Sequence, residues 1–87
     1  MSMPKALREN YTVRITVREC FRQHNLSAYR VATEGRGRIS RNTIYALARG
    51  EAERLDLGTL ARLASLLENL TGQRINVSDL LILERTS

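Results

Sequence analysis

The side chains of this 87-residue chain best equipped to recognise a partner are Arg41, Asn42, Tyr45 and Arg49, gathered around the small Ala46 in one short stretch. Arg presents a planar fork of donors that meets O6 and N7 of guanine in a pair of hydrogen bonds, and Asn meets adenine in the same way. Their spacing matters as much as their types. At about 100° per residue, Asn42, Tyr45, Ala46 and Arg49 fall within about 140° of Arg41 around a helix. Thr43, Ile44, Leu47 and Ala48 occupy the other side. Such a helix docks its aliphatic side on a protein body and offers the other to the major groove of a duplex, with Ala46 keeping the backbone close to the bases.

Other residues fit the same chemistry. Ser27 and Ala28 read as the start of a preceding helix, where free amides and the helix dipole suit a phosphate. Arg36, Arg38 and Arg54 lie in predicted loops flanking the recognition stretch and extend toward backbone phosphates on either side.

Catalytic readings fail on inventory. The one His, His24, and the one Cys, Cys20, stand four residues apart, and no further Cys or His exists to complete a metal site; Cys20 reads as core. Gly35-Arg36-Gly37 lacks the third glycine and the preceding strand of a dinucleotide loop. Asn25, Asn69 and Asn76 each begin an Asn-x-Ser/Thr triplet, which in an unsecreted chain reads as caps and turns. No cofactor, metal or small-molecule ligand is expected, and no catalytic residue is assigned.

Composition agrees with a binding module. Formal charge is +5, and 13 of the 14 cations are Arg. Residues 1–49 carry +7 and residues 50–87 carry −2, the asymmetry of a chain with an acidic polymer for a partner. Hydrophobic residues make up 43%, 13 of them Leu, with one Phe and no Trp, so the core must be aliphatic. The length suits one domain. No apolar run approaches the ~20 residues of a membrane span. The start has no signal-peptide pattern, and a single cysteine precludes an internal disulfide, so a cytoplasmic, reducing location is expected.

The elements that must position these residues follow from local pattern. Residues 1–10 read as a flexible arm, and 11–87 as the domain. Tyr11 to Ile15 alternates like a short strand. Thr16 and Glu19 have capping-box spacing ahead of a helix with Val17, Cys20 and Phe21 on one face, ended by Asn25. Ser27 caps a second helix that stops at Gly35. Ser40 caps a third, to Arg49, with Gly50 in the left-handed position past its end. Asp56 caps a fourth, whose stripe of Leu57, Leu60, Ala61, Leu63, Ala64, Leu67 and Leu70 marks it as core. Ser78 and Asp79 cap a last turn or two through Leu80, Leu81 and Leu83.

In order, Leu26-Ser-x-x-x-Val31-Ala32, a glycine turn, Ile39-Ser40-x-x-Thr43-Ile44-x-x-Leu47-x-x-Gly50 and Leu57-x-x-Leu60-x-x-Leu63-Ala64 resemble the Cro and lambda-repressor type helix-turn-helix domain. The likeness covers about residues 13 to 83, with the helix-turn-helix at 27–50. It implies an all-α, compact five-helix DNA-binding domain acting as a homodimer, to which a short N-terminal strand paired with the C-terminal tail can be added. By the same likeness Arg41, Asn42, Tyr45 and Ala46 face bases, and Ser27, Ala28, Ser40 and Arg49 face phosphates. Six residues separate Ala32 from Ile39, where the family pattern has four; the excess falls in Gly35-Arg36-Gly37-Arg38 and adds cations.

The expected function is therefore a sequence-specific regulator of transcription that binds double-stranded DNA, most simply a bacterial or phage repressor that occupies a promoter. The alternative is the antitoxin of a toxin-antitoxin pair, binding a toxin protein and autoregulating its operon. An RNA-binding or purely protein-binding module is a third reading, disfavoured by the few aromatics available for stacking. The dimer contact is open between strand pairing, by 11–15 or 81–84, and a helical contact through Leu80, Leu81 and Leu83.

Overall fold

The computed structural model describes residues 10–52 and 54–86; within these limits the chain runs β1 (Tyr11–Ile15), α1 (Val17–Gln23), α2 (Ala28–Glu34), α3 (Arg41–Arg49), α4 (Leu57–Thr71), α5 (Val77–Leu80) and β2 (Leu81–Arg85). Residues 1–9 of the expected arm lie outside the described residues. Asn10 belongs to the fold, since its carbonyl accepts from Thr86 N–H at 2.8 Å.

Five helices form as expected, but the domain is not all-α. β1 and β2 pair antiparallel with Val13 opposite Leu83 and Ile15 opposite Leu81, joining the two ends of the described chain. The helical continuation through Leu81 and Leu83 is replaced by this strand, and α5 stops at Leu80. The reason is visible at its last residue: Leu80 is fully buried in the core, and its carbonyl accepts from Thr16 N–H at 2.8 Å, which starts the ladder.

Helix boundaries are mostly local chemistry. Ser27 Oγ accepts from Arg30 N–H, and Ser40 Oγ accepts from Thr43 N–H at 3.1 Å. Gly50 and Gly72, both at φ 71°, end α3 and α4 in the left-handed region, and Asn25 does the same after α1 at φ 55°. Two caps differ from expectation. Thr16 closes no capping box, because its hydroxyl donates to the Asp79 carbonyl at 3.1 Å and Glu19 turns to Arg14 at 2.9 Å. At α5 the capping box forms between Asn76 and Asp79 rather than starting at Ser78. Asp56 takes the N-cap place of α4 without a side-chain bond of standard geometry. The Thr59 hydroxyl nevertheless holds its carboxyl below the ordinary range.

The core is aliphatic, as composition demands. Val17, Val31, Ile44, Leu47, Leu63, Leu67 and Leu80 are its most deeply buried side chains, joined by Phe21 and Cys20. Burial pushes the Cys20 thiol up, with the Asp79 charge adding to it. The stripe on α4 is rotated from the expected one. Leu66 is buried, whereas Leu57, in the first turn beyond the core's edge, is 81% exposed and Ala61 is exposed as well. No helix among the described residues is long and apolar enough to cross a membrane.

Candidate nucleic-acid interface

The two faces of α3 separate as its sequence requires. Ile44 and Leu47 are at most 1% exposed and anchor the helix to the core, while Arg41 and Asn42 are exposed on the opposite side. Neither Arg41 nor Asn42 has a side-chain hydrogen bond or ion pair among the described residues, so both retain their donors for a partner. Tyr45 and Ala46 are half-buried; part of the Tyr45 ring leans on the core, which fixes where the remainder points. The first turn is held by Ser40 Oγ and Thr43 Oγ1, 2.7 Å apart. At the other end Glu51 N–H reaches back to the Ala46 carbonyl at 3.0 Å. Rigid ends matter here, because paired hydrogen bonds to a base edge tolerate little displacement.

The connection before α3 absorbs its two additional residues without opening. Gly35 N–H bonds the Val31 carbonyl at 2.8 Å, and the Gly35 carbonyl accepts from both Arg38 N–H at 2.9 Å and Ile39 N–H at 3.1 Å. Ile39, only 6% exposed, then plugs the chain into the core just before Ser40. Gly35 is required by proximity rather than by φ: a Cβ there would lie 2.8 Å from Leu66 Cδ2 on α4. Gly37, at φ +86°, is required by conformation. The excess chain is thus displayed outward, leaving Arg36 and Arg38 exposed.

The expected phosphate-facing residues are distributed unevenly. Ser27, Ser40, Arg36, Arg38 and Arg54 are exposed, and Ala28 is half-buried. Arg38 borders a shallow cleft with Ala61, Arg62 and Ser65, which sets it at the flank of α4 and beside a second cation. Arg49 is exposed but already bonded to Glu51 at 2.8 Å, so a phosphate must displace a surface ion pair to recruit it. Such pairs contribute little, typically below about 1 kcal/mol, and yield readily.

One further cation lies beside this set. A cleft of about 490 Å³ runs between the C-terminal end of α3 and the β1 edge, and Arg18 lines it together with Arg14 and Arg49. Arg14 is occupied by Glu84 and Glu19, both at salt-bridge distance, whereas Arg18 makes no ion pair among the described residues. The only signal in the sequence was the place of Arg18 on the polar side of α1. No three His, Cys, Asp or Glu side chains among the described residues come together as a metal site.

Comparison with known proteins bears on this arrangement. A family model described as a Cro/C1-type HTH DNA-binding domain matches residues 16–85. No curated protein and no solved structure matches the chain.

Proposed function

The chain belongs to the Cro/C1-type helix-turn-helix DNA-binding family, and from that membership we propose that it is a sequence-specific transcriptional regulator that reads the major groove with α3. The observation that carries this reading is the two-faced helix: Ile44 and Leu47 locked in the core, Arg41 and Asn42 exposed with no competing partner among the described residues. Arg41 and Asn42 contact base edges, Tyr45 and Ala46 line the groove, and Ser27, Ala28, Arg36, Arg38, Ser40, Arg49 and Arg54 face phosphates. Arg18 joins the phosphate set from the cleft beside Arg49. The simplest regulation is repression by occupancy of a promoter, with two copies of the chain bound to a palindromic or repeated site.

Fluorescence anisotropy on duplex DNA tests this through its salt dependence. Binding weakens linearly in log–log form with salt, at a slope set by the number of phosphates neutralised, and single-stranded DNA of the same sequence competes poorly. Equal affinity for both forms of DNA, or no salt dependence, would rule the reading out.

A further inference from the structure

Glu51 is hard to account for by stability. Beyond α3, Gly50 turns left-handed at φ 71° and gives its N–H to the Leu47 carbonyl at 3.1 Å, while Glu51 N–H reaches the Ala46 carbonyl at 3.0 Å. These two bonds close the last turn and fix the backbone of Glu51 at the carbonyl end of the helix. The helix dipole favours a cation there and disfavours a carboxylate, and Arg49 in the last turn already supplies the cation. The Glu51 carboxylate accepts from Arg49 Nε–H at 2.8 Å, yet both side chains are more than half exposed, and an ion pair so placed adds little to folding. A residue that opposes the dipole and stabilises the fold so little points to a role in binding. The guanidinium it holds lines the cleft at the end of the recognition helix beside Arg18, where phosphates are assigned.

We propose that Glu51 restrains the contact between Arg49 and the DNA backbone, a positioning residue that limits how tightly the domain holds any duplex. The inference rests on the reading of α3 as the element that enters the groove. While the pair is closed, Arg49 Nε–H is taken, and a negative charge stands 2.8 Å from the group that a phosphate must approach. The phosphate then meets a neutral pair rather than a free cation, and its repulsion from the carboxylate adds to the loss of the ion pair. Turning aside does not carry the carboxylate far, because the Glu51 backbone is anchored through the Ala46 carbonyl. Arg41 and Arg18, which have no ion pair among the described residues, carry no such restraint. Glu51 therefore weakens the part of binding that all sequences share and leaves base readout by Arg41 and Asn42 untouched.

Fluorescence anisotropy on two duplexes, one selected from random DNA and one unrelated, tests this with E51Q, which keeps the shape of the side chain and removes its charge. E51Q should bind both duplexes about two- to fivefold more tightly at low salt, with the ratio between them unchanged and the salt slope steeper by up to about one phosphate's worth. In the R49A background the same substitution should all but lose its effect, whereas in the R18A background it should keep it. An E51Q variant that binds like the wild type overturns the proposal. So does an equal gain with R49A, since that gain would come from the general field of the chain rather than from this pair. In the free protein, the Arg49 Nε–H resonance should shift and exchange faster with water in E51Q; an unchanged resonance would show that the pair does not form and would also overturn the proposal. A wild type that binds duplex no better than single-stranded DNA overturns the reading of α3 and this inference with it, whereas wild-type duplex binding with an inert E51Q overturns this inference alone.

Discussion

The helix-turn-helix segment from Ser27 to Gly50 and the ribbon of β1 with β2 treat their surfaces in opposite ways. In the first, Val31, Ile39, Ile44 and Leu47 are buried and, Tyr29 apart, what faces outward is polar or cationic. In the second, Tyr11, Val13, Ile82 and Leu83 face outward, while charges are paired internally through Arg14 with Glu84 and Glu19. Unpaired guanidiniums suit a polyanion, because binding releases its counterions. The ribbon instead leaves apolar side chains and a strand edge open to water. The two regions thus differ in residues and in surface chemistry, and substitutions in one should leave the other intact.

The largest expected effect falls on the DNA side. Arg41→Ala with Asn42→Ala removes both base-reading forks and weakens binding to a selected site by about 2–6 kcal/mol, at roughly 1–3 kcal/mol per paired contact, with thermal unfolding unchanged. A drop in melting temperature comparable to a core truncation would show instead that these residues hold the fold. Leu47→Ala breaks the separation from the opposite face of the same helix, costing about 2–5 kcal/mol in denaturant unfolding, whereas the same truncation at exposed Leu83 costs the monomer little. Gly35→Ala drives a methyl against Leu66 and costs about 1–3 kcal/mol; a neutral result would mean that α2 and α4 move apart freely.

Smaller effects sharpen the comparison. Arg36→Ala with Arg38→Ala lowers affinity on all duplexes and flattens the salt slope by about one or two charges' worth. An unchanged slope would remove the extended turn from the interface. The smallest effect is that of pH at Asp56, whose carboxyl is held below the ordinary range chiefly by the Thr59 hydroxyl. A depressed pKa stabilises the fold above the unfolded-state value, and that contribution is lost as pH falls through the folded value. Asp56→Asn should therefore reduce the acid sensitivity of unfolding slightly, and an identical pH profile would show that the interaction has no weight.

What was legible in the sequence was whatever is decided within a turn or two. The caps at Ser27 and Ser40, the left-handed glycine after α3, and the division of α3 into two faces all depend on neighbours three or four residues away. Distant partners were legible only in part. The pairing of the N-terminal strand with the C-terminal tail was expected and is borne out, whereas Thr16 abandons its capping box for Asp79, because a tertiary contact outbids the local one there. Leu57 fits the helical stripe by period yet lies exposed, since period cannot say how far the core extends along a helix. For the site, residue types and spacing placed Arg41 and Asn42 in the open. The half-burial of Tyr45, the Arg49–Glu51 pair and the placing of Arg18 beside α3 required the packed helices.

Selection from random duplex DNA, carried out side by side with the wild type and Asn42→Ala and followed by sequencing, addresses the central claim most directly. The wild type should enrich a defined motif containing an adenine position, and the variant should enrich the same motif with the preference at that position lost. Identical motifs from both proteins, or no motif from the wild type, would contradict the assignment of α3 as the element that reads sequence.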